Sequence, residues 1–283
     1  MRELELSSGT IEYGDTGGDG PVLVFQHGVL MSGSEWSAVV EDLRRDHRCI
    51  VPELPLGSHR RPMPADADLS FGGLIRLLYE FLDRLELRDV TLVGSDFGLS
   101  LMAAAERPDR FSRLVLTSCE AFGNCPPGLP GKAMLIGRLP GGVGAMLQPL
   151  RVRPLRRLPM TFGWMSKHAS DEQLDEWLRP ALTQRAIRRD IAKFVRTDEP
   201  ERVAADTERL RGFDRPALVV WARDDRVMPP EHGRRLAELL PRGRLVEVDD
   251  SYTLIPVDQP AALARHIREF VRETAPAAAG ALR

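Results

Sequence analysis

The apolar run Thr91-Leu92-Val93 enters Gly94-Ser95-Asp96-Phe97-Gly98 and leaves as Leu99–Glu106, a stretch with helical character. A strand that passes through Gly-x-Asp-x-Gly into a helix needs a tight turn, and the small flanking residues let that turn close. The turn lifts one side chain, Asp96, above the edge of a sheet, and the helix N-terminus behind it favours negative charge at the tip. The loop before the last helix reads Asp250-Ser251-Tyr252-Thr253-Leu254 and contains no histidine.

The rest of the chain repeats the alternation of short apolar strands and amphipathic helices that makes a mostly parallel sheet covered on both faces. Leu4–Leu6 and Ile11–Tyr13 open it as an antiparallel pair. Val22–Gln26, Cys49–Pro52, Val90–Gly94, Leu114–Ser118, Ala217–Ala222 and Arg244–Val248 supply six further strands. Leu74–Leu85 and Pro260–Val271 carry apolar residues at helical spacing. The alternation breaks from residue 121 to 211, which reads as short helices without a strand and is expected to cap the C-terminal edge of the sheet. The expected organisation is therefore a core in two parts, 1–120 and 212–273, a helical cap at 121–211, and a frayed tail at 274–283. The cap holds 16 Arg and Lys against 10 Asp and Glu. Those charges suit either solvated helix faces or a lid that attracts an acidic or carrier-linked substrate.

Bulk properties exclude more than they assign. Hydrophobic content of 43% and charged content of 28% over 283 residues fit a globular protein with ample length for a core. A net charge of -2 gives no global pull toward nucleic acid or membrane. The three cysteines have no metal-type spacing, and Cys49 and Cys119 read as buried free thiols. No signal core or membrane-length apolar run is present, so a cytoplasmic location is expected. No metal cluster, phosphate loop or dinucleotide fingerprint is present, so no cofactor is expected. The expected partner is a small-molecule substrate, with a homodimer left open.

His27-Gly28 after a strand, the turn at Gly94–Gly98, and Trp221-Ala222-Arg223-Asp224-Asp225 after another strand occur in the order found in the α/β-hydrolase superfamily, which the chain resembles over nearly its whole length. The resemblance implies an eight-stranded α/β-hydrolase fold with Asp96 at the nucleophile position and Asp225 at the acid position. It implies backbone donors at Val29 and Phe97 for an oxyanion hole, with His27 and Leu30 in the loop beside them. Thr253 falls at the histidine position, beside Tyr252. An Asp at the tip resembles haloalkane dehalogenases and epoxide hydrolases, whose carboxylate forms an ester that a histidine-activated water cleaves. The chain departs from both. Val29 and Phe97 stand where dehalogenases carry a halide-binding Asn and Trp. Tyr13, Tyr79 and Tyr252 all lie outside the cap, where epoxide hydrolases place ring-opening tyrosines.

With no histidine at 253, the base must come from elsewhere or hydrolysis is not the reaction. His59, leaving a strand at the active edge, and His168, in the cap, are the candidates for a relocated base. Glu120, at the end of a strand on the same edge, is a candidate second carboxylate. Three readings follow. In the first, Asp96 is a general acid/base in isomerisation, epimerisation, elimination or cyclisation of an apolar substrate, as a natural-product tailoring enzyme would need. In the second, Asp96 is the nucleophile of an epoxide, halide or ester hydrolase with a relocated base. In the third, the pocket binds a ligand without chemistry.

Overall fold

The computed structural model describes residues 1–197 and 199–275; the tail expected at 274–283 lies for the most part outside them. The chain opens with strands β1 (Arg2–Leu6), β2 (Gly9–Asp15) and β3 (Val22–Gln26), then helix α1 (Ser37–Leu43), β4 (Arg48–Pro52), α2 (Phe71–Arg84) and β5 (Thr91–Asp96). Helix α3 (Leu99–Glu106) and β6 (Arg113–Cys119) complete the first part of the core. The eight-stranded sheet, completed after the cap by β7 (Ala217–Ala222) and β8 (Gly243–Val248), has the order β1-β2-β4-β3-β5-β6-β7-β8. Strand β2 runs antiparallel to β1 and β4, and the pairs from β4 onward are parallel. All eight expected strands are present.

Between β6 and β7 lie α4 (Gly128–Met134), α5 (Gly142–Leu147), α6 (Asp171–Thr183), α7 (Arg185–Val195) and α8 (Pro200–Arg209), with one 3-10 turn between α4 and α5 and three between α5 and α6. Among the described residues of this insertion there is no strand. Helix α9 (Pro230–Leu239) precedes β8, and α10 (Ile255–Asp258) leads into α11 (Pro260–Glu273). No helix of the described residues is long and apolar enough to cross a membrane.

Period-two alternation sends successive strand residues to opposite faces. Leu23 and Phe25 of β3 pack with α1 and α11, whereas Val24 packs toward α2, α3 and the cap. Strand order reverses at β3, which has β4 on one side and β5 on the other. Open α/β sheets leave a crevice at such a reversal, at the carboxyl ends of the strands. The His27-Gly28 loop after β3 and the turn after β5 both open there. Asn124 Nδ2 donates to the Val227 carbonyl at 3.1 Å, and Leu254 N donates to the Met165 carbonyl at 2.8 Å, tying the cap to the core.

Candidate active site

The turn after β5 has the geometry its sequence implies. Asp96 sits at φ 59°, a left-handed conformation that costs a non-glycine residue of the order of 1–3 kcal/mol and persists only where its surroundings impose it. Gly94 is required because a β-carbon there would lie 2.5 Å from the Ser100 side chain on α3. Gly28 is required for a second close approach, since a β-carbon would lie 2.5 Å from Asp96 Oδ2. That approach lets the Val29 N–H donate to Asp96 Oδ2 at 3.2 Å.

Asp96 is buried, and burial pushes its carboxyl up to about 7. The Val29 N–H works against that shift, and the charge of Asp225 adds to it. The helix N-terminus and the apolar surroundings oppose each other in the sequence, and in the structure burial dominates. The cavity over Asp96 has a volume of about 230 Å³ and is walled by apolar side chains, including Leu30, Met31 and Met165. Phe97 meets Phe71 at a tilt and Phe194 edge to face, with ring centroids 4.8 and 5.1 Å away, and all three rings line the cavity. Glu120 also lines it, and its Oε2 accepts the Gly98 N–H at 3.2 Å. Asp96, Glu120 and Thr161 bring polar side chains to an otherwise apolar wall. Among the described residues no three His, Cys, Asp or Glu side chains gather to hold a metal ion.

Several expected site residues do not reach this cavity. The Phe97 N–H, expected in the oxyanion hole, instead donates to the Ser95 carbonyl at 2.6 Å, because the turn closes on itself across Asp96. Of the two expected donors, the Val29 N–H alone faces Asp96. His27 is buried beneath its loop: Nε2 accepts the Leu54 N–H at 2.9 Å, and Nδ1 bonds the Gly28 carbonyl at 2.9 Å. Burial lowers its ring to about 4, so it is a neutral strut. His59 is buried too, away from the cavity, with Nε2 3.3 Å from Asp190 Oδ2 of α7 and Nδ1 accepting the Gly57 N–H at 3.2 Å. His168 is exposed and faces Asp250 at 3.2 Å. Neither histidine is a relocated base for Asp96. Tyr252 lies under the cations of Lys167 and Arg226, at 5.0 and 4.8 Å, and not on the cavity wall.

Asp225 and Thr253 meet as the resemblance implies, but behind the wall. The fully buried Thr253 donates from Oγ1 to Asp225 Oδ1 at 2.8 Å, and the same oxygen accepts the Val227 and Met228 N–H groups at 2.9 and 2.8 Å. Burial still raises Asp225 to about 6, against those two N–H groups. Asp225, expected as a catalytic residue, does not line the cavity, and its charge raises Asp96. The loop is fixed by Asp258, whose carboxylate accepts Ser166 Oγ at 2.5 Å, Tyr252 N at 2.9 Å and the N–H groups of Lys167 and His168 at 3.0 Å.

One participant was not found from the sequence. Glu35 is buried behind the His27-Gly28 loop and accepts the Gly28 N–H on Oε2 at 3.0 Å. Burial raises it to about 8, opposed by the Gly28 N–H and reinforced by the charge of Asp96. It fixes the peptide that precedes the Val29 donor, so it is a positioning residue. Its place in Ser32-Gly33-Ser34-Glu35-Trp36 reads as a polar loop, and nothing in that run signals the contact.

Known proteins agree with this frame. The α/β hydrolase fold family model matches residues 21–260. An uncharacterized hydrolase of Bacillus subtilis, YugF, is 27% identical over 263 residues, covering 88% of this chain and 89% of its own. A haloalkane dehalogenase of Mesorhizobium japonicum is 26% identical, covering 96% of this chain and 91% of its own. The solved structure of haloalkane dehalogenase DbeA from Bradyrhizobium elkani superposes with a TM-score of 0.79 at 19% identity, covering 96% of this chain and 97% of that one. With a family match running from β3 to the start of α11, and the turn, loop and acid in the places that fold assigns them, the chain belongs to the α/β-hydrolase fold family.

Proposed function

We propose that the protein is an enzyme of this fold in which Asp96 moves a proton on a small, largely apolar substrate, with no imidazole involved. The observation that carries this reading is a single one. The carboxyl at the elbow tip is raised to about 7 and faces an apolar cavity whose walls include no histidine. A carboxyl poised near neutral pH can both accept and return a proton, which suits general acid–base work. Asp96 takes a proton from a carbon next to a carbonyl, and the electron pair moves onto the substrate oxygen. The Val29 N–H, released from Asp96, donates to that oxyanion. Returning the proton to the same carbon after the planar enolate has turned over in the cavity epimerises the substrate; returning it to a different carbon isomerises it. The test is incubation in D₂O with apolar carbonyl compounds, followed by NMR. Deuterium should enter the substrate with wild-type protein and not with Asp96→Asn. Equal exchange in the variant would defeat the reading.

A second reading has its own support. The Val29 N–H on Asp96 Oδ2 is where the carbonyl oxygen of an aspartyl ester would sit, and the relatives named above are a hydrolase and a dehalogenase. Here Asp96 Oδ1 attacks carbon and the leaving group departs with its electron pair. Water then attacks the ester carbonyl, and Glu120 accepts the water proton. The bond between the Asp96 acyl carbon and the substrate oxygen breaks, and the alcohol leaves with the proton from Glu120 as the Asp96 carboxylate re-forms. Intact-protein mass after exposure to alkyl halides, epoxides and activated esters separates the two. An adduct on Asp96 that clears to leave solvent ¹⁸O in the Asp96 carboxylate after one turnover, and in the product on later turnovers, favours hydrolysis, and the absence of an adduct favours proton transfer.

A further inference from the structure

The overall charge of -2 conceals a sharp asymmetry in the cap. Between residues 121 and 170 there are seven Lys or Arg and no Asp or Glu. The same segment carries the exposed apolar surface: apart from Met1, every large apolar side chain left exposed among the described residues lies between Leu129 and Met160. Leu135, Ile136, Leu158 and Met160 are at once exposed and part of the cavity wall, so they form the mouth of the cavity from two separate segments. Leu139, at 63% exposure, and Val152, at 50%, extend those segments away from the mouth and do not line the cavity. Among the described residues no carboxylate lies within ion-pair distance of Lys132 or Arg151, and Arg151 bonds a backbone carbonyl, that of Leu182, at 2.7 Å. Arg153 and Arg157 are paired with Asp175 and Asp171, at 2.6 and 2.8 Å. An apolar patch rimmed by polar residues marks a place where something docks.

We propose that the cap rim docks on an anionic lipid–water surface and that the cavity takes its apolar ligand from there. Apolar side chains inserted at the acyl boundary and cations facing anionic headgroups are the two attractions that hold a protein at such a surface. This rim presents both beside an apolar cavity. The inference is independent of the chemistry at Asp96, and its test needs no substrate. Vesicles of phosphatidylcholine with phosphatidylglycerol should carry the wild-type protein in a flotation gradient. Vesicles of phosphatidylcholine alone should carry much less, and high salt should weaken the first. Each cation near such a surface contributes roughly five-fold in partitioning, so Lys132→Ala with Arg151→Ala should cost roughly 25-fold. Leu139→Asp with Val152→Asp, away from the cavity wall, should abolish flotation while far-UV circular dichroism and any Asp96 adduct are unchanged. Failure of the wild type to float, or equal flotation of the Asp variants, would overturn the proposal. So would light scattering that shows a dimer which Leu139→Asp dissociates in the absence of vesicle binding, because the rim would then be covered by a second copy. Binding to an acidic carrier protein with no flotation would overturn it as well.

Discussion

Replacing Asp96 with Asn should stabilise the protein, and by an amount that depends on pH in a calculable way. Asp96 is buried, so its shift needs little discount for solvent, and Asn mimics the neutral acid in shape while keeping an acceptor for the Val29 N–H. The folded pKa of about 7 lies above the ordinary 3.8. Between those values the folded protein holds a proton that the unfolded chain has released. Stability therefore falls as pH rises through that window and is constant above it. That rise in pKa corresponds to roughly 4 kcal/mol of penalty at pH 8.5, which Asn removes. Integrating the same linkage leaves roughly 1 kcal/mol at pH 4.5. Thermal unfolding followed by circular dichroism should show the variant melting roughly 8 °C or more above wild type at pH 8.5, with the gap shrinking several-fold at pH 4.5. Glu35 and Asp225 are present in both proteins, so the difference between them carries the titration of Asp96 together with its charge coupling to those two acids. A gap that is independent of pH, or a wild type that gains on the variant as pH rises, would refute a buried, proton-holding Asp96.

Thr253→His places an imidazole against Asp225, whose Oδ1 now accepts the Thr hydroxyl at 2.8 Å. Crowding a fully buried site should cost about 1–3 kcal/mol, and any aspartyl ester that accumulates on the wild type should turn over, as steady-state release from an activated ester would report. Glu35→Leu should leave the buried Gly28 N–H without an acceptor, at about 1–3 kcal/mol, and lower Asp96-dependent activity. Glu35→Gln keeps an acceptor and should restore that activity, whereas a role confined to packing would be met equally by Leu. His59→Ala should destabilise by about 1–3 kcal/mol because Asp190 loses a buried partner, while deuterium exchange or adduct formation at Asp96 stays within about two-fold of wild type.

The frame was legible because its signals are local. Alternating apolar strands located all eight members of the sheet, and Gly94 with Asp96 announced the turn. The failures concern contacts between distant segments. His59 follows Leu54-Pro55-Leu56-Gly57-Ser58 and precedes two arginines, and nothing near it points to Asp190 on α7. The engagement of the Phe97 N–H depends on how tightly the backbone closes at a φ of 59°, which residue identity alone does not encode. The cap's 16 Arg and Lys against 10 Asp and Glu are an average over 121–211 that conceals a first half with no acids at all.

The loss of the histidine alters the electrostatics of the whole turn, beyond the removal of a base. In a complete triad an imidazole between the two acids can become a cation and hold both as carboxylates. Here Thr253 is neutral, and it satisfies an oxygen of Asp225 without supplying charge. Three buried acids then remain, each lifted by burial: Asp225 to about 6, Asp96 to about 7 and Glu35 to about 8. Asp225 and Glu35 flank the same elbow, one charge raising Asp96 and the other raised by it. Their values therefore belong partly to the group as a whole. Near neutral pH such a group carries fewer negative charges than it has carboxyls. A proton shared in this way is what a histidine would otherwise have brought to the site. With Thr253 neutral, the charge that Asp225 keeps continues to raise Asp96, so Thr253 is the residue on which the proposed proton transfer depends.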